Sequence, residues 1–235
     1  MQNNALNAVI FDLDGVVIDT KAPIEAFWNK WAHQKGIALD KQTMHEKIHG
    51  RPAKSTLNTI FGFLSPEEKE EIKRAGDLME RGLQYIPMPG VIDFLNALVA
   101  HQIKTALVTS SLPEKVETVF QQLGLSGLFN EVVTADLITH GKPAPECYLF
   151  AAGKLKIPAQ TCIVFEDSAS GVRAAHKAGM QVIGINEPII APMLINAGAA
   201  TVIPDFTQIK IHKKNSTTST LFLVNSYEYS LNPIR

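Results

Sequence analysis

The chain has 235 residues, 46% of them hydrophobic, enough to bury a full core as one large domain or as one domain with a small inserted one. Its 22 Lys and Arg nearly balance 23 Asp and Glu, which excludes the basic footprint of a nucleic-acid binder and the polybasic signal for an anionic membrane, leaving a small metabolite as the expected partner. Apolar runs such as 8–11 and 103–108 fall far short of the roughly 20 residues that span a bilayer, residues 1–7 carry no leader pattern, and two cysteines, Cys147 and Cys162, are too few for a disulfide framework, so a cytoplasmic protein with reduced, packing cysteines is expected.

In chain order, the first strand is expected at Ala8–Phe11. Roughly ninety residues then pass without a convincing strand, too many for a single crossover. Helical periodicity over Ile24–Lys35 and Pro66–Gly82 points to an inserted helical domain at 20–87 within a core formed by 1–19 and 88–212. Pro87, Met88, Pro89 and Gly90 read as a rigid return linker. Four further Val- and Ile-rich strands are expected at Thr105–Val108, Val132–Thr134, Cys162–Phe165 and Val182–Ile185. Helices at Glu114–Leu123, Pro145–Leu155 and Ala169–Ala178 alternate with them. This alternation implies an α/β doubly wound parallel sheet, whose ligands bind beyond the carboxyl ends of the strands. The stretch 213–235, apolar at Leu221–Val224 and with Tyr227 and Tyr229 alternating after it, suggests an added edge strand or hairpin of unassigned role.

The polar residues of interest all follow strands. Asp12-Leu13-Asp14-Gly15 brings two carboxylates out of the first strand together, with a glycine to let the chain turn. Such a pair can divide labour, one ionised as nucleophile and metal ligand, the other an acid; in isolation the pattern equally suits an Asx turn or a helix cap. Thr109-Ser110-Ser111 before a helix suits phosphate oxygens, although by itself it reads as an N-cap. Lys142, between Gly141 and Pro143, offers a compact positive charge, though alone it is a solvated lysine. Glu166 and Asp167 add hard oxygens at the same sheet edge, a donor set suited to Mg²⁺.

DLDG, VTSS, GKPAPE and FEDSASG, in this order along residues 9–185, resemble the four motifs of the haloacid dehalogenase superfamily. The resemblance implies a Mg²⁺-dependent phosphatase in which Asp12 attacks phosphorus and Asp14 is general acid/base. It implies a metal held by Asp12, the Asp14 main-chain carbonyl and Asp167, with Glu166 a direct or indirect partner. Thr109 and Ser110 would hold the phosphoryl group and Lys142 would offset its charge. The second Asp of the first motif argues against a dehalogenase or a phosphonate hydrolase. The insertion resembles the helical cap of sugar-phosphate and polyol-phosphate phosphatases and of β-phosphoglucomutases. A mutase of that group would carry an Arg where this chain has Ala53, three residues after Gly50, and a His where it has Ile24, so a hydrolase is favoured and a mutase is the alternative. A phosphosugar-binding protein without turnover is the remote one. In the cap, Trp28 and Trp31 are expected to pack its core. His49 and Arg51 are the candidate substrate contacts of the cap: His49 is open between that role and an internal hydrogen bond, and Arg51, through its forked donors, is favoured for substrate contact over a surface ion pair. Asp19 and Thr20, also recurrent in the family's extended first motif, read as a helix cap. A monomer or weak dimer is expected.

Overall fold

The computed structural model describes residues 6–49, 51–213, 220–224 and 227–231. Six strands, β1 (Ala8–Phe11), β2 (Lys104–Val108), β3 (Glu131–Val133), β4 (Cys162–Glu166), β5 (Gln181–Ile185) and β6 (Thr201–Ile203), form one wholly parallel sheet in the order β3-β2-β1-β4-β5-β6. The five strands expected from the sequence are present to within a residue. Their ends extend or shift because Lys104, Glu131, Glu166 and Gln181, polar though they are, take part in the ladder. The short sixth strand was not expected; three residues carry no readable period.

Buried on both faces, the strands alternate between two cores. Val9 and Phe11 of β1 face a cluster built with α5 (Val91–Ala100) and α6 (Pro113–Leu123), where Phe11 stacks on Phe165 at 5.3 Å and meets Phe94 edge-on at 5.9 Å. Each such aromatic pair adds about 0.5–1.5 kcal/mol beyond its burial. Ala8 and Ile10 face the opposite cluster, closed by α7 (Glu146–Leu155), α8 (Ala169–Lys177) and α9 (Ala191–Ala197). Both cysteines are free and buried there, as expected.

Between β1 and α5 the chain is helical: α1 (Lys21–Gln34), α2 (Lys41–Lys47), α3 (Ala53–Ile60) and α4 (Pro66–Arg81). These helices bury an apolar cluster of their own around Trp28, Met44, Leu57, Phe61 and Ile72, with Trp28 stacked on Phe61 at 5.8 Å and Trp31 packed against it, as the tryptophan spacing suggested. Helix α4 starts at a reciprocal capping box between Ser65 and Glu68, with Pro66 preset for the first turn. The two passages between sheet and helices run side by side: Asp19 N–H donates to Ile86 O at 2.8 Å and Met88 N–H to Val17 O at 3.0 Å. The return ends at Gly90, at φ 78°, where a Cβ would lie 2.8 Å from the Phe206 backbone.

The C-terminal stretch forms β7 (Lys210–Lys213), β8 (Thr220–Val224) and β9 (Tyr227–Leu231), a separate antiparallel sheet in which β8 and β9 make the suggested hairpin. Residues 214–219, 225–226 and 232–235 of that stretch lie outside the described residues, as does Gly50. Leu231 is fully buried in the main core and Leu6 N–H donates to Ser230 O at 2.7 Å. Among the described residues no helix is long and apolar enough to cross a membrane.

Candidate active site

The carboxyl ends of β1, β2 and β4 and the loop before α7 converge on one buried polar cluster. Asp12 leaves β1 with its N–H bonded to Phe165 O at 3.0 Å, so the carboxylate is fixed by the pairing of β1 with β4. The next residues close a tight loop in which Val17 and Ile18 N–H groups donate to Leu13 O, and Gly15 turns at φ 76°. Only a glycine fits there, because a Cβ would stand 2.2 Å from Asp167 Oδ2.

Lys142 is not a solvated lysine. It is 8% exposed, and its Nζ lies 2.6 Å from both Asp12 Oδ1 and Glu166 Oε1 and 5.3 Å over the Tyr148 ring. Glu166 is fully buried and held by four donors: Lys142 and the Tyr148 hydroxyl, at 3.0 Å, on Oε1, and the Ser168 N–H and hydroxyl, at 2.9 and 3.1 Å, on Oε2. Gly171 of α8 leaves the room for it, since a Cβ there would overlap the carboxylate at 1.6 Å. Burial would lower the Lys142 pKa, but Asp12 and Glu166 raise it well above the ordinary lysine value.

Oxygens of Asp12, Glu166 and Asp167 lie within 4.8 Å of one another, and Asp167 Oδ1 is buried without a hydrogen-bond partner. Burial, with repulsion from Glu166, lifts Asp12 to about 7 against the pull of Lys142. The same two causes raise Asp167 well above the carboxylate range. Three buried carboxylates facing one ammonium, one of them with an unclaimed oxygen, fit a hard divalent cation.

Asp14 sits apart from that cluster, and its carboxylate is likewise fully engaged. Its Oδ1 accepts from the Thr20 hydroxyl and Lys115 Nζ, both at 2.8 Å, and its Oδ2 from Ser111 Oγ at 3.1 Å and Lys115 Nζ at 3.0 Å. Burial would raise its pKa, but Lys115, Thr20 and Ser111 together hold it below the usual carboxylate value. Two expectations of simple capping are corrected here. Thr20 precedes α1 but makes no side-chain cap bond, its hydroxyl being spent on Asp14. The residue at the N-cap of α6 is Leu112, with no side-chain cap bond, while Thr109 Oγ1 accepts from Ser111 N–H at 3.0 Å and Ser111 Oγ donates to Asp14. Thr109 is buried and Ser110 partly exposed at the end of β2.

In the helical insertion, His49 is buried and its Nε2 lies 3.1 Å from Glu25 Oε1, which favours the internal hydrogen bond. Arg51 Nε donates to Glu46 O at 2.8 Å, a backbone carbonyl rather than the carboxylate of a surface ion pair. Lys115, Tyr148 and Glu80 did not emerge from the sequence. For Lys115 a signal existed: a cation in the first turn of α6 opposes the helix dipole and calls for an acid nearby. Tyr148 and Glu80 are placed by tertiary packing alone.

An open parallel sheet with a carboxylate-bearing turn on an inner strand, a buried lysine and three clustered buried acids is the architecture of a hydrolase core. The chain belongs to the haloacid dehalogenase-like hydrolase family, which it matches over residues 9–185. It is 32% identical over 79% of its length to hexitol phosphatase A of Escherichia coli, of which it covers 85%. It is 30% identical over 89% of its length to β-phosphoglucomutase of Bacillus subtilis, of which it covers 95%. Among solved structures, an Entamoeba histolytica hydrolase of this family superposes with a TM-score of 0.72 at 28% identity, over 87% of this chain and 96% of that one.

Proposed function

We propose that the protein is a Mg²⁺-dependent phosphoric monoester hydrolase acting on a small sugar or polyol phosphate through an aspartyl-phosphate on Asp12, with 20–87 as the cap that covers the substrate. The observation that carries it is the coincidence of Asp12, Lys142 at 2.6 Å and the unpartnered Asp167 Oδ1 at one sheet edge. The Asp12 and Asp167 carboxylates and the Asp14 carbonyl would hold the cation, and Glu166, saturated by four donors, holds Lys142 instead. When bound, Mg²⁺ would supply charge neutralisation for the phosphoryl oxygens and would favour the ionised form of Asp12, whose pKa burial otherwise lifts to about 7.

In the first half-reaction a carboxylate oxygen of Asp12 forms a bond to phosphorus as the ester P–O bond breaks, and Asp14, once freed from a donor and protonated from solvent, gives that proton to the departing alkoxide. Thr109, Ser110 and Lys142 bind the phosphoryl oxygens. In the second, Asp14 takes a proton from water as that water's oxygen bonds to phosphorus, and inorganic phosphate leaves with Asp12 regenerated. The hexitol phosphatase relative supports a polyol or sugar ester. The mutase relative supports the alternative, a phosphosugar mutase, but Ile24 packs into the cap core and Ala53 opens α3 with no charge to offer a second phosphate.

The test is Mg²⁺-dependent phosphate release across hexose phosphates, hexitol phosphates, glycerol-3-phosphate and pyrophosphate, with Asp12→Asn as control. Release that disappears in the variant establishes the phosphatase and ranks its substrates. No release, with β-glucose-1-phosphate converted to glucose-6-phosphate, establishes the mutase.

A further inference from the structure

Lys115 touches two acids from different parts of the molecule. One is Asp14, gripped through both oxygens at 2.8 and 3.0 Å; the other is Glu80 of α4, at 3.1 Å from the same Nζ. The lysine side chain is only 9% exposed, whereas Glu80 is 41% exposed and reaches it from the helical insertion. Each of the two is placed against its own helix: Glu80 lies in the last turn of α4 and Lys115 in the first turn of α6, positions where the dipole disfavours an anion and a cation respectively. Neither charge is accounted for by local helix stability; Lys115 is held by Asp14 first and Glu80 second, and Glu80 by Lys115. The Tyr85 hydroxyl donates to Glu80 O at 3.4 Å, tying the end of α4 to the chain that returns to the sheet.

The consequence concerns Asp14. With Thr20 on Oδ1, Ser111 on Oδ2 and Lys115 on both, every favourable acceptor direction of its carboxylate is taken. A carboxyl held in this way can neither carry a proton to a leaving oxygen nor accept one from water. Of its donors, Lys115 alone makes a second bond to an acid of α4, so it is the one that a shift of α4 can pull away.

Resting on the reading of Asp14 as general acid/base, we propose that Glu80 is a positioning residue for Asp14: through Lys115 it draws the ammonium off the carboxylate as α4 settles over bound substrate, making acid assistance depend on the cap. Without the Glu80 charge, Lys115 keeps both of its contacts on Asp14.

Leaving-group dependence reads this directly, because an alkoxide needs the proton and p-nitrophenolate does not. The quantity is kcat/KM, which for a two-step transfer reports the step in which the leaving group departs. We compare the best alkyl phosphate with p-nitrophenyl phosphate in wild type, Glu80→Gln, Lys115→Met and the double variant. The expected result for Glu80→Gln is a loss of about five-fold on the alkyl ester, the scale of a typical coupling residue, with little change on the aryl ester and an unchanged melting temperature. Adding Glu80→Gln to Lys115→Met is expected to change nothing further. Equal losses on both esters, no loss on either, or a loss that persists in the Lys115→Met background would each overturn the proposal. Asp14→Asn is run alongside. If it cleaves the alkyl ester as fast as wild type, the acid/base assignment itself falls; if it is inactive while Glu80→Gln is silent, the proposal alone falls.

Discussion

Tyr148→Phe separates the anchoring of Lys142 from the binding of a cation. The hydroxyl donates to Glu166 Oε1 at 3.0 Å, both residues are fully buried, and burial together with Glu166 holds the phenol pKa well above its usual value, so it remains a donor at neutral pH. The substitution removes a single hydrogen bond to a charged acceptor and keeps the ring beneath Lys142 at 5.3 Å. Such a bond contributes about 1.5–3 kcal/mol. For a chain of this size 1 kcal/mol moves the melting temperature by roughly 2–4 °C, so a fall of about 3–12 °C is expected by differential scanning calorimetry. Loosening the carboxylate that holds Lys142 lowers kcat by about ten-fold, the usual effect of removing a supporting group behind a site residue, while Mg²⁺ affinity stays within about two-fold of wild type. An unchanged melting temperature, or a Mg²⁺ affinity that falls with kcat, would refute the view that Glu166 serves Lys142 rather than the metal.

Saturating Mg²⁺ at about a hundred times its Kd is expected to stabilise the fold by about 2.7 kcal/mol. In Asp167→Asn that thermal shift disappears, and the variant without metal melts above metal-free wild type because a carboxyl that burial and Glu166 destabilise as an anion has been removed. Gly171→Ala drives a methyl into Glu166 Oε1 and is expected to cost about 3 kcal/mol or more by breaking the buried Lys142–Glu166 pair, with loss of activity; a stable, active variant would show that α8 can yield. His45 is held at about 4 by burial, with His49 and Lys21 also disfavouring its charged form, against 6.5 for a free side chain. The unfolded chain therefore binds the extra proton first, so stability is complete above about pH 6.5 and falls as the pH drops toward 4. At pH 5 the loss is about 1 kcal/mol once halved for partial exposure, and His45→Gln should melt with less dependence on pH across that window.

The sheet was legible because strands buried on both faces, such as Ala8–Phe11 and Cys162–Phe165, leave unbroken apolar runs, and because Asp12, Thr109 and Asp167 follow such runs at once. Residues that position those groups left no such trace. Tyr148 reads as one more apolar residue of α7 until the fold sets its hydroxyl against Glu166, and Glu80 reads as one of several acids on a charged helix. The hydroxyl of Thr20 was misread for a related reason: local sequence offers a helix end as its nearest use, whereas the chain reversal around Gly15 brings Asp14 closer. Substrate choice stays out of reach at this level, since cap contacts discriminate by small differences in energy that residue spacing does not encode.

Strand β1 lies in the middle of the sheet, paired at Ala8 with Lys104 on one side and with Cys162 on the other. During synthesis it emerges before both partners and keeps the edge that β4 will cover open until β4 has been translated. The Asp12 backbone is anchored by Phe165, and the acidic cluster ends at Asp167. A nascent chain therefore carries no working fragment of the site. The first-made motif gains its chemistry only when the fourth is added, and contacts so distant in sequence set a slow pace for that final closure.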